Sequence, residues 1–233
     1  MALLDVASDS ALAVAARLID AGCVTVRTDE PFRLPSGWAS PVYMDCRRLI
    51  SFPDIRRELV ALAINKLNAE GALADVAAVA GGEASGIAPA AWIADSLNLP
   101  LQYVRKRTAG ANRVEGVVKN GGKVLLVDDL VAAGTSKASF VGTLRGAGAT
   151  VEDVLVFFDY GTFEADVLLA SLGLRLHALA SWADVLAVAR QRHDFGHQAR
   201  AELAEFLRDP AAWSQTHGGI GPMASNRIHA RKN

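Results

Sequence analysis

Along most of the chain, short apolar runs alternate with stretches in which apolar residues recur at helical spacing. Runs such as DVAAVA and KVLLV are typical of buried strands, because nearly every position in them is apolar. We predict strands over residues 75–80, 101–104, 123–127, 150–158 and 174–178, and helices over residues 86–97, 135–146, 163–172, 182–189 and 199–207. Strands separated by single helices predict βαβ units, and therefore an α/β fold with a parallel sheet flanked by helices.

The N-terminal part of the chain departs from this alternation. A helix is predicted after the N-capping residues Ser8 to Ser10, and Gly22 ends it. Residues 23–52 hold short extended pieces interrupted by prolines, so we interpret this region as a small cap, or hood, over the sheet. We assign residues 1–52 to the N-terminal helix and hood, 53–213 to the α/β core with its C-terminal helices, and 214–233 to a loose tail.

The composition limits the classes of protein to consider. A length of 233 residues predicts one ample domain, or one domain with a small appendage, and the 24 basic and 25 acidic side chains argue against the coating of nucleic acid. No apolar run reaches about 18 residues without a charge, so no membrane span is predicted. Asp5 and Asp9 stand where a signal peptide needs basic residues, and Cys23 and Cys46 lack the spacing of a zinc or CxxC motif. We therefore expect a cytoplasmic protein that binds neither nucleic acid nor membranes.

The segment from Lys123 to Lys137, KVLLVDDLVAAGTSK, carries the strongest chemical signal. An apolar strand leads into Asp128 and Asp129, and then into a small-residue loop at the start of a helix, where N–H groups and hydroxyls bind phosphate. The predicted phosphate-binding residues are Ala132, Ala133, Gly134, Thr135 and Ser136. Two adjacent carboxylates with no local Lys or Arg need a partner, and the hydroxyls of a ribose 5-phosphate fit that need. The plainer alternative is an acidic strand end followed by an ordinary helix cap.

Two further segments favour additional anionic groups on the same ligand. Gly82 and Glu83 belong to a second glycine turn between a strand and a helix, where the backbone can approach a ligand closely. Arg105, Lys106 and Arg107 leave a strand end and enter a small-residue stretch, which is typical of a lid that closes over a diphosphate. Taken singly, these segments also fit an ordinary tight turn and a solvated basic loop.

Together these motifs resemble a known family. The pattern of a strand followed by DD, any four residues and GTS resembles the phosphoribosyl diphosphate (PRPP) motif of type I phosphoribosyltransferases. Residues 32–47, FRLPSGWASPVYMDCR, are similar to the signature F-x-L-x-S-G-x-x-S-P-x-Y-x-D-x-R of orotate phosphoribosyltransferases. YVRK at 103–106 and VEG at 114–116 also follow that family. The resemblance covers about residues 25–190 and implies a type I phosphoribosyltransferase core with a hood over the base site.

The resemblance also implies a reaction and a set of residue roles. Orotate and PRPP would give orotidine 5′-monophosphate and diphosphate in pyrimidine biosynthesis. Mg²⁺ would be held mainly through PRPP, without direct protein ligands. The protein would form a homodimer in which the lid of each chain reaches the active site of the other. The implied catalytic residues are Asp128, Asp129, Arg105 and Lys106. The implied PRPP site comprises these four residues with Arg107, Gly82, Glu83 and the loop Ala132 to Ser136. The implied base site comprises Ser36, Gly37, Ser40, Val42 and Tyr43.

The chain departs from the family pattern at the lid and at the base pocket. Ala109 and Ala111 stand near the positions of the family's second lid Lys and its His, so turnover needs a substitute such as Arg107 or Arg113. The Arg that commonly meets the orotate carboxylate is not evident in residues 158–161. Two alternatives therefore stay open: a phosphoribosyltransferase for another base, and a non-catalytic protein that binds PRPP or a nucleotide.

Overall fold

The computed structural model describes residues 8–34, 36–106, 113–162 and 165–220. The helices are α1 (Asp9–Asp20), α2 (Pro53–Ala69), α3 (Ile87–Leu97), α4 (Thr135–Gly146), α5 (Ala165–Ser171), α6 (Trp182–Arg192), α7 (His197–Arg208) and α8 (Pro210–Thr216), with a 3₁₀ helix at Cys46–Ser51. The strands are β1 (Val24–Val26), β2 (Phe32–Arg33), β3 (Ala39–Ser40), β4 (Val42–Met44), β5 (Val76–Gly82), β6 (Leu101–Val104), β7 (Val114–Glu115), β8 (Lys123–Val131), β9 (Asp153–Asp159) and β10 (Arg175–Ser181). Each helix in these ranges is too short or too polar to cross a membrane.

A six-stranded sheet with the order β10-β9-β8-β5-β6-β7 forms the centre of the molecule. Neighbouring strands are parallel except for the edge pair of β6 and β7. The α/β fold predicted from the alternating pattern is confirmed, and all five predicted strands are present. The edge strand β7 was not predicted, because its two residues are too few to show a periodic pattern.

The central strand β8 is longer than its apolar run predicts. The prediction ends the strand at residue 127, but β8 continues to Val131 because Leu130 and Val131 still pair with β9. Asp128 and Asp129 therefore lie inside the strand, and the prediction that they follow it is wrong.

Helices cover both faces of the sheet. α1, α2, α3 and α6 pack on one face, and α4 and α5 pack on the other. Along β8, Leu125 and Val127 enter the first layer, while Val124 and Leu126 enter the second. All four side chains are buried. Burial on both faces explains why the central strands appear in the sequence as uninterrupted apolar runs.

The region interpreted as a hood forms two small antiparallel pairs, β1 with β4 and β2 with β3. It lies beside the carboxyl ends of the central strands, because Met44 of β4 donates its backbone N–H to the hydroxyl of Tyr160, just after β9, at 3.0 Å. The N-terminal helix α1, which the sequence interpretation groups with the hood, instead packs on α6 and β10.

Part of the segment interpreted as a loose tail is packed against the hood. Ser214 is fully buried in α8, and the backbone of Ile220 bonds to Gly37. The backbone N–H of Ala39 in the hood donates to the hydroxyl of Ser214. These two residues are 175 positions apart, so no local pattern in the sequence indicates the contact. Residues 221–233 lie outside the described part of the chain.

A cluster of polar and charged groups around the buried side chains of Asp153 and His177 joins the amino ends of β8, β9 and β10 to α2. His177 directs one ring nitrogen to Glu70 and the other to Asp153, whose Oδ1 is 2.8 Å from Nε2. Lys123 and Arg175 approach Asp153 at 3.2 and 2.9 Å. Burial acts to raise the pKa of Asp153, but the hydrogen bonds from His177, Arg175 and Lys123 outweigh burial and hold this pKa below its usual value.

We expect this cluster to make the fold sensitive to acid. Because the folded-state pKa of Asp153 is lowered, its carboxylate stabilises the fold above its unfolded pKa of about 4, and the stabilisation is lost as the pH falls through the folded pKa. Asp153→Asn should therefore lower the free energy of unfolding at neutral pH by about 3–5 kcal/mol, the usual cost of breaking a buried ion pair. Urea denaturation measures this loss.

Asp54→Asn is the matched control for this variant. The Asp54 side chain is 92% exposed where it pairs with Arg57, and exposed ion pairs contribute little to stability. Equal losses of unfolding free energy in the two variants would contradict the role given to the cluster. A loss of unfolding free energy for Asp153→Asn that stays constant as the pH falls would also contradict it.

Candidate active site

The acid pair predicted from the sequence lies buried near the carboxyl end of β8. Asp128 is 3% exposed and Asp129 is 7% exposed. Successive strand residues face opposite sides of a sheet, so the two side chains enter different surroundings. The closest ion-pair and backbone partners of the two carboxylates differ, although Ser85 and Lys137 act on both.

Asp128 is neutralised by a lysine that the sequence analysis did not recognise as its partner. Nζ of Lys137 is 2.6 Å from Oδ2 of Asp128, and both side chains are buried. The expectation that the carboxylates have no local Lys or Arg is therefore wrong. Lys137 stands in the first turn of α4, and the tight connection from β8 returns this turn to the strand end. A lysine in the first turn of the helix that follows an acidic strand end is the signal that would have indicated the pair.

The glycine turn after β5 packs directly against Asp128. Oδ1 of Asp128 accepts hydrogen bonds from the hydroxyl of Ser85 at 3.3 Å and from the backbone N–H of Asp129 at 2.9 Å. A Cβ at Gly86 would lie 2.7 Å from the same oxygen, so only glycine allows the turn to approach this closely. The second predicted motif thus adjoins the first, and Ser85 is a further site residue that the sequence analysis missed.

Asp129 is the acid of the pair whose charge is less fully compensated. Burial and the neighbouring charge of Asp128 raise the pKa of Asp129 to about 6, although Lys137 and the backbone N–H of Leu130 act in the opposite direction. That N–H donates to Oδ1 of Asp129 at 2.8 Å. A carboxylate in this state has a strong electrostatic preference for hydrogen-bond donors such as ligand hydroxyls.

The loop after β8 forms one wall of a cleft of about 300 Å³. Gly134 precedes the first residue of α4 with φ +76°, a backbone conformation that favours glycine. The exposed hydroxyls of Thr135 and Ser136 stand at the helix N-terminus, where free N–H groups and the helix dipole attract anions. The cleft is lined by Leu34, Ser36, Tyr43, Met44, Leu130, Ala132, Ala133, Gly134, Thr135, Ser136, Lys137 and Tyr160. All five residues predicted to bind phosphate are therefore on its surface.

The hood and Tyr160 form the opposite wall of this cleft. Tyr160 is held by edge-on contacts with Trp182 and Phe158, at centroid distances of 5.4 and 5.8 Å. Burial is the main reason that the pKa of Tyr160 is raised, so its hydroxyl keeps its proton while accepting the N–H of Met44. Tyr160 stands in the 158–161 segment, in which the sequence analysis finds no Arg.

The residues predicted to frame the base divide into two groups. Ser36 and Tyr43 line the cleft. Ser40 and Val42 are fully buried inside the hood, where the Ser40 hydroxyl donates to the carbonyl of Val42 at 2.8 Å. Gly37 lies against Ile220. The first group is placed to touch a ligand in the cleft, while the second supports the shape of the hood.

The basic strand end and the glycine turn are joined to one another. The backbone N–H of Lys106 donates to the carboxylate of Glu83 at 2.7 Å, and the guanidinium of Arg105 pairs with Glu115 at 2.8 Å. Gly82 is covered by the ring of Phe140. These contacts place Arg105 and Lys106 beside the turn that the sequence analysis assigned to the diphosphate.

Arg113 has a structural role at the end of the predicted lid, which it joins to the start of the lid. Its guanidinium donates to the carbonyl of Arg105 at 3.1 and 3.2 Å and to the carbonyl of Lys106 at 3.3 Å. These bonds close the base of the lid segment and occupy the guanidinium. Of the two lid cations considered as substitutes, Arg107 lies outside the described residues, as do Ala109, Ala111 and Pro35.

Two solved structures share this architecture. The chain is similar to an orotate phosphoribosyltransferase from Aeropyrum pernix, with 34% identity and a TM-score of 0.67 over 78% of this chain and 99% of that chain. It is also similar to UMP synthase from Leishmania donovani, with 29% identity and a TM-score of 0.74 over 85% of this chain and 42% of that chain. The larger protein thus contains one region with this fold.

Curated relatives match nearly the whole chain, although no protein-family model matches it. An orotate phosphoribosyltransferase from Rhizobium rhizogenes is 40% identical over 216 residues, which is 91% of this chain and 93% of the relative. One from Ruegeria sp. is 43% identical over 204 residues, which is 86% of this chain and 90% of the relative. The fold and the site define a type I phosphoribosyltransferase. Within that class, the chain belongs to the orotate phosphoribosyltransferase family.

We expect Lys137→Met to destabilise the protein because it leaves Asp128 buried without a countercharge. The loss should be about 3–5 kcal/mol in free energy of unfolding, measured by urea denaturation. Adding Asp128→Asn to Lys137→Met should restore most of this loss, since removing both charges of a buried pair is nearly neutral. A double variant that is no more stable than Lys137→Met would show that Lys137 does not act by neutralising Asp128.

Proposed function

We propose that this chain transfers the 5-phosphoribosyl group of PRPP to orotate, giving orotidine 5′-monophosphate and diphosphate in pyrimidine biosynthesis. The observation that carries the proposal is that one cleft lies between an open helix N-terminus and the hood wall, and that Lys137, which lines it, pairs with the buried Asp128 of the acid pair. These surroundings match the hydroxyls, the phosphate and the base of the two substrates. The names of the curated relatives support orotate as the acceptor.

The two ends of the phosphoribosyl group would bind to different parts of the cleft. The N-terminus of α4 would hold the 5′-phosphate through backbone N–H groups and the hydroxyls of Thr135 and Ser136. Asp128 and Asp129 would accept hydrogen bonds from the ribose hydroxyls, with Lys137 holding the Asp128 side chain in place. The hood would then hold the base against the ribose C1 atom.

Catalysis would depend on stabilising the diphosphate as it leaves. The bond between C1 and the diphosphate oxygen breaks while a base nitrogen bonds to C1, so positive charge develops on the ribose and negative charge on the leaving group. Arg105 and Lys106, beside the Glu83 turn, would screen the negative charge. Preorganised cations of this kind act most strongly where water is excluded.

The site also fits Mg²⁺ that enters with the substrate. Mg²⁺ prefers oxygen ligands, keeps several waters, and is commonly held by substrate phosphates and one or two carboxylates. In the ranges that the structure describes, no three side chains of His, Cys, Asp or Glu converge as a metal site. The ion would therefore be held mainly through PRPP, with the acid pair as the nearest candidate protein carboxylates on β8. It would supply charge neutralisation at the diphosphate.

We further propose a cytoplasmic homodimer in which the lid of one chain reaches the site of the other. The resemblance to the orotate phosphoribosyltransferase family implies this arrangement, in which the partner's lid would add cations to those of Arg105 and Lys106. The buried free thiols of Cys23 and Cys46 suit a reducing compartment.

Steady-state formation of orotidine 5′-monophosphate from orotate and PRPP tests the assignment. We expect turnover with orotate and none with uracil or adenine, because the relatives indicate a pocket selective for orotate. Turnover with another base would support the second alternative. PRPP binding without turnover on any base would support the non-catalytic binder.

The pH dependence of kcat/KM for PRPP tests the role of Asp129. Since its pKa is raised to about 6, the carboxyl is protonated below that pH and accepts hydrogen bonds from ribose hydroxyls poorly. We expect kcat/KM to rise through about pH 6 and then to level off.

Asp129→Asn is the control for this profile, because a phosphate monoester also titrates near about pH 6. In the pH profile of Asp129→Asn, the inflection caused by the phosphate of the substrate should remain and the inflection caused by Asp129 should be absent. The kcat/KM of the variant should be lower than that of the parent at every pH. Profiles of the same shape for both proteins would remove Asp129 from the proposed role.

A further inference from the structure

The hood hairpin that forms one wall of the cleft is too small to hold its own shape. β2 and β3 have two residues each, and an isolated two-stranded hairpin is at best marginally stable in water. Leu34 and Ser36, in and beside its turn, both line the cleft. The position of this wall therefore depends on what packs against the hairpin from the other side.

Ser214 on α8 provides a support for the hairpin. Its side chain is 0% exposed, and its Oγ accepts the backbone N–H of Ala39 at 2.9 Å while donating to the carbonyl of Ile220 at 2.8 Å. One hydroxyl therefore joins the hood, α8 and the residues that follow α8. A buried hydroxyl with both a donor and an acceptor partner holds those partners in a defined geometry.

The residues after α8 extend this contact to the turn of the hairpin. The N–H of Ile220 donates to the carbonyl of Gly37 at 3.1 Å, and the Ile220 side chain would lie 3.2 Å from a Cβ at Gly37. Gly219 passes so close that a Cβ there would overlap the Ala39 N–H and the Ser214 hydroxyl. The hairpin is thus held at its turn and along β3 by a segment that comes from the other end of the chain.

The supporting segment is itself attached to the core. The ring of Trp213 meets that of Phe206 on α7 edge-on, with a centroid distance of 5.6 Å, and Phe206 is fully buried. α7 in turn packs on α6, which covers the sheet. A continuous series of packed contacts therefore leads from the sheet to the hood wall.

We propose that residues 210–220, here named the C-terminal strap, position the hood wall of the base pocket, and that Ser214 is the central positioning residue. The strap acts through the hairpin and contributes no group to the reaction. The proposal rests on the proposed function only in naming the base as the ligand of that wall.

Ser214→Ala removes the hydroxyl while leaving the fold of α8 intact. The matched control is Thr216→Val, which removes an exposed hydroxyl that bonds to carbonyls of its own helix. Hydrogen–deuterium exchange reports on the hood wall without any substrate. We expect the amides of residues 36–43 to exchange faster in Ser214→Ala than in the parent, and to be unchanged in Thr216→Val.

Kinetics give the second measurement. In Ser214→Ala we expect KM for orotate to rise by about 2- to 10-fold, as for the loss of one buried hydrogen bond, with KM for PRPP and kcat nearly unchanged. Gly219→Ala should give the same pattern with the Ser214 hydroxyl retained, because its Cβ must displace the strap from Ala39. It serves as the second variant if Ser214→Ala does not fold.

Unchanged hydrogen–deuterium exchange at residues 36–43 in both Ser214→Ala and Gly219→Ala would overturn the proposal. Equal increases in KM for both substrates, or a fall in kcat alone, would also overturn it, because they indicate a general structural role. If the parent protein does not convert orotate, the proposed function fails, while the exchange comparison still decides whether the strap positions the hood.

Discussion

The buried ion pair between Asp128 and Lys137 is the interaction on which the site depends. A carboxylate inside the central strand of a parallel sheet is strongly unfavourable unless a charge of opposite sign and hydrogen-bond donors meet it. Lys137 provides the charge, and the Ser85 hydroxyl and a backbone N–H provide the donors. Because Lys137 and Ser85 come from two different βα turns, Asp128 ties both glycine-containing turns to the end of β8.

This pairing gives the two neighbouring acids different properties. Asp128 is bound to Lys137, so it is part of the framework of the site. Asp129 lies on the other side of the strand, and burial together with the charge of Asp128 raises its pKa to about 6. A donor-rich ligand would relieve this unfavourable state by bonding to the ionised carboxylate. The cost of burying two acids would therefore be offset in part by the proposed ligand's hydroxyls.

The remaining parts of the cleft depend on support from outside it. The helix α4 presents its N-terminus because Gly134 makes the turn from the strand, and Tyr160 links the end of β9 to the hood through Met44. The hood hairpin has too few residues to be stable alone, and the C-terminal strap packs against it. A rigid sheet thus carries one wall of the cleft, and a small hairpin supported from both sides carries the other.

The parallel α/β fold and the position of two adjacent acids before a small-residue βα loop could be predicted from the sequence alone, because apolar periodicity and βα turns depend on residues close together in the chain. Only the tertiary structure decided that Asp128 lies within β8, that Lys137 neutralises it, and that Arg113 binds backbone carbonyls. It also decided that Ser214 reaches Ala39 across 175 residues. Such pairings depend on how distant segments pack. They cannot be predicted from the sequence, because the residues around a polar side chain are the same whether or not a distant residue packs against it.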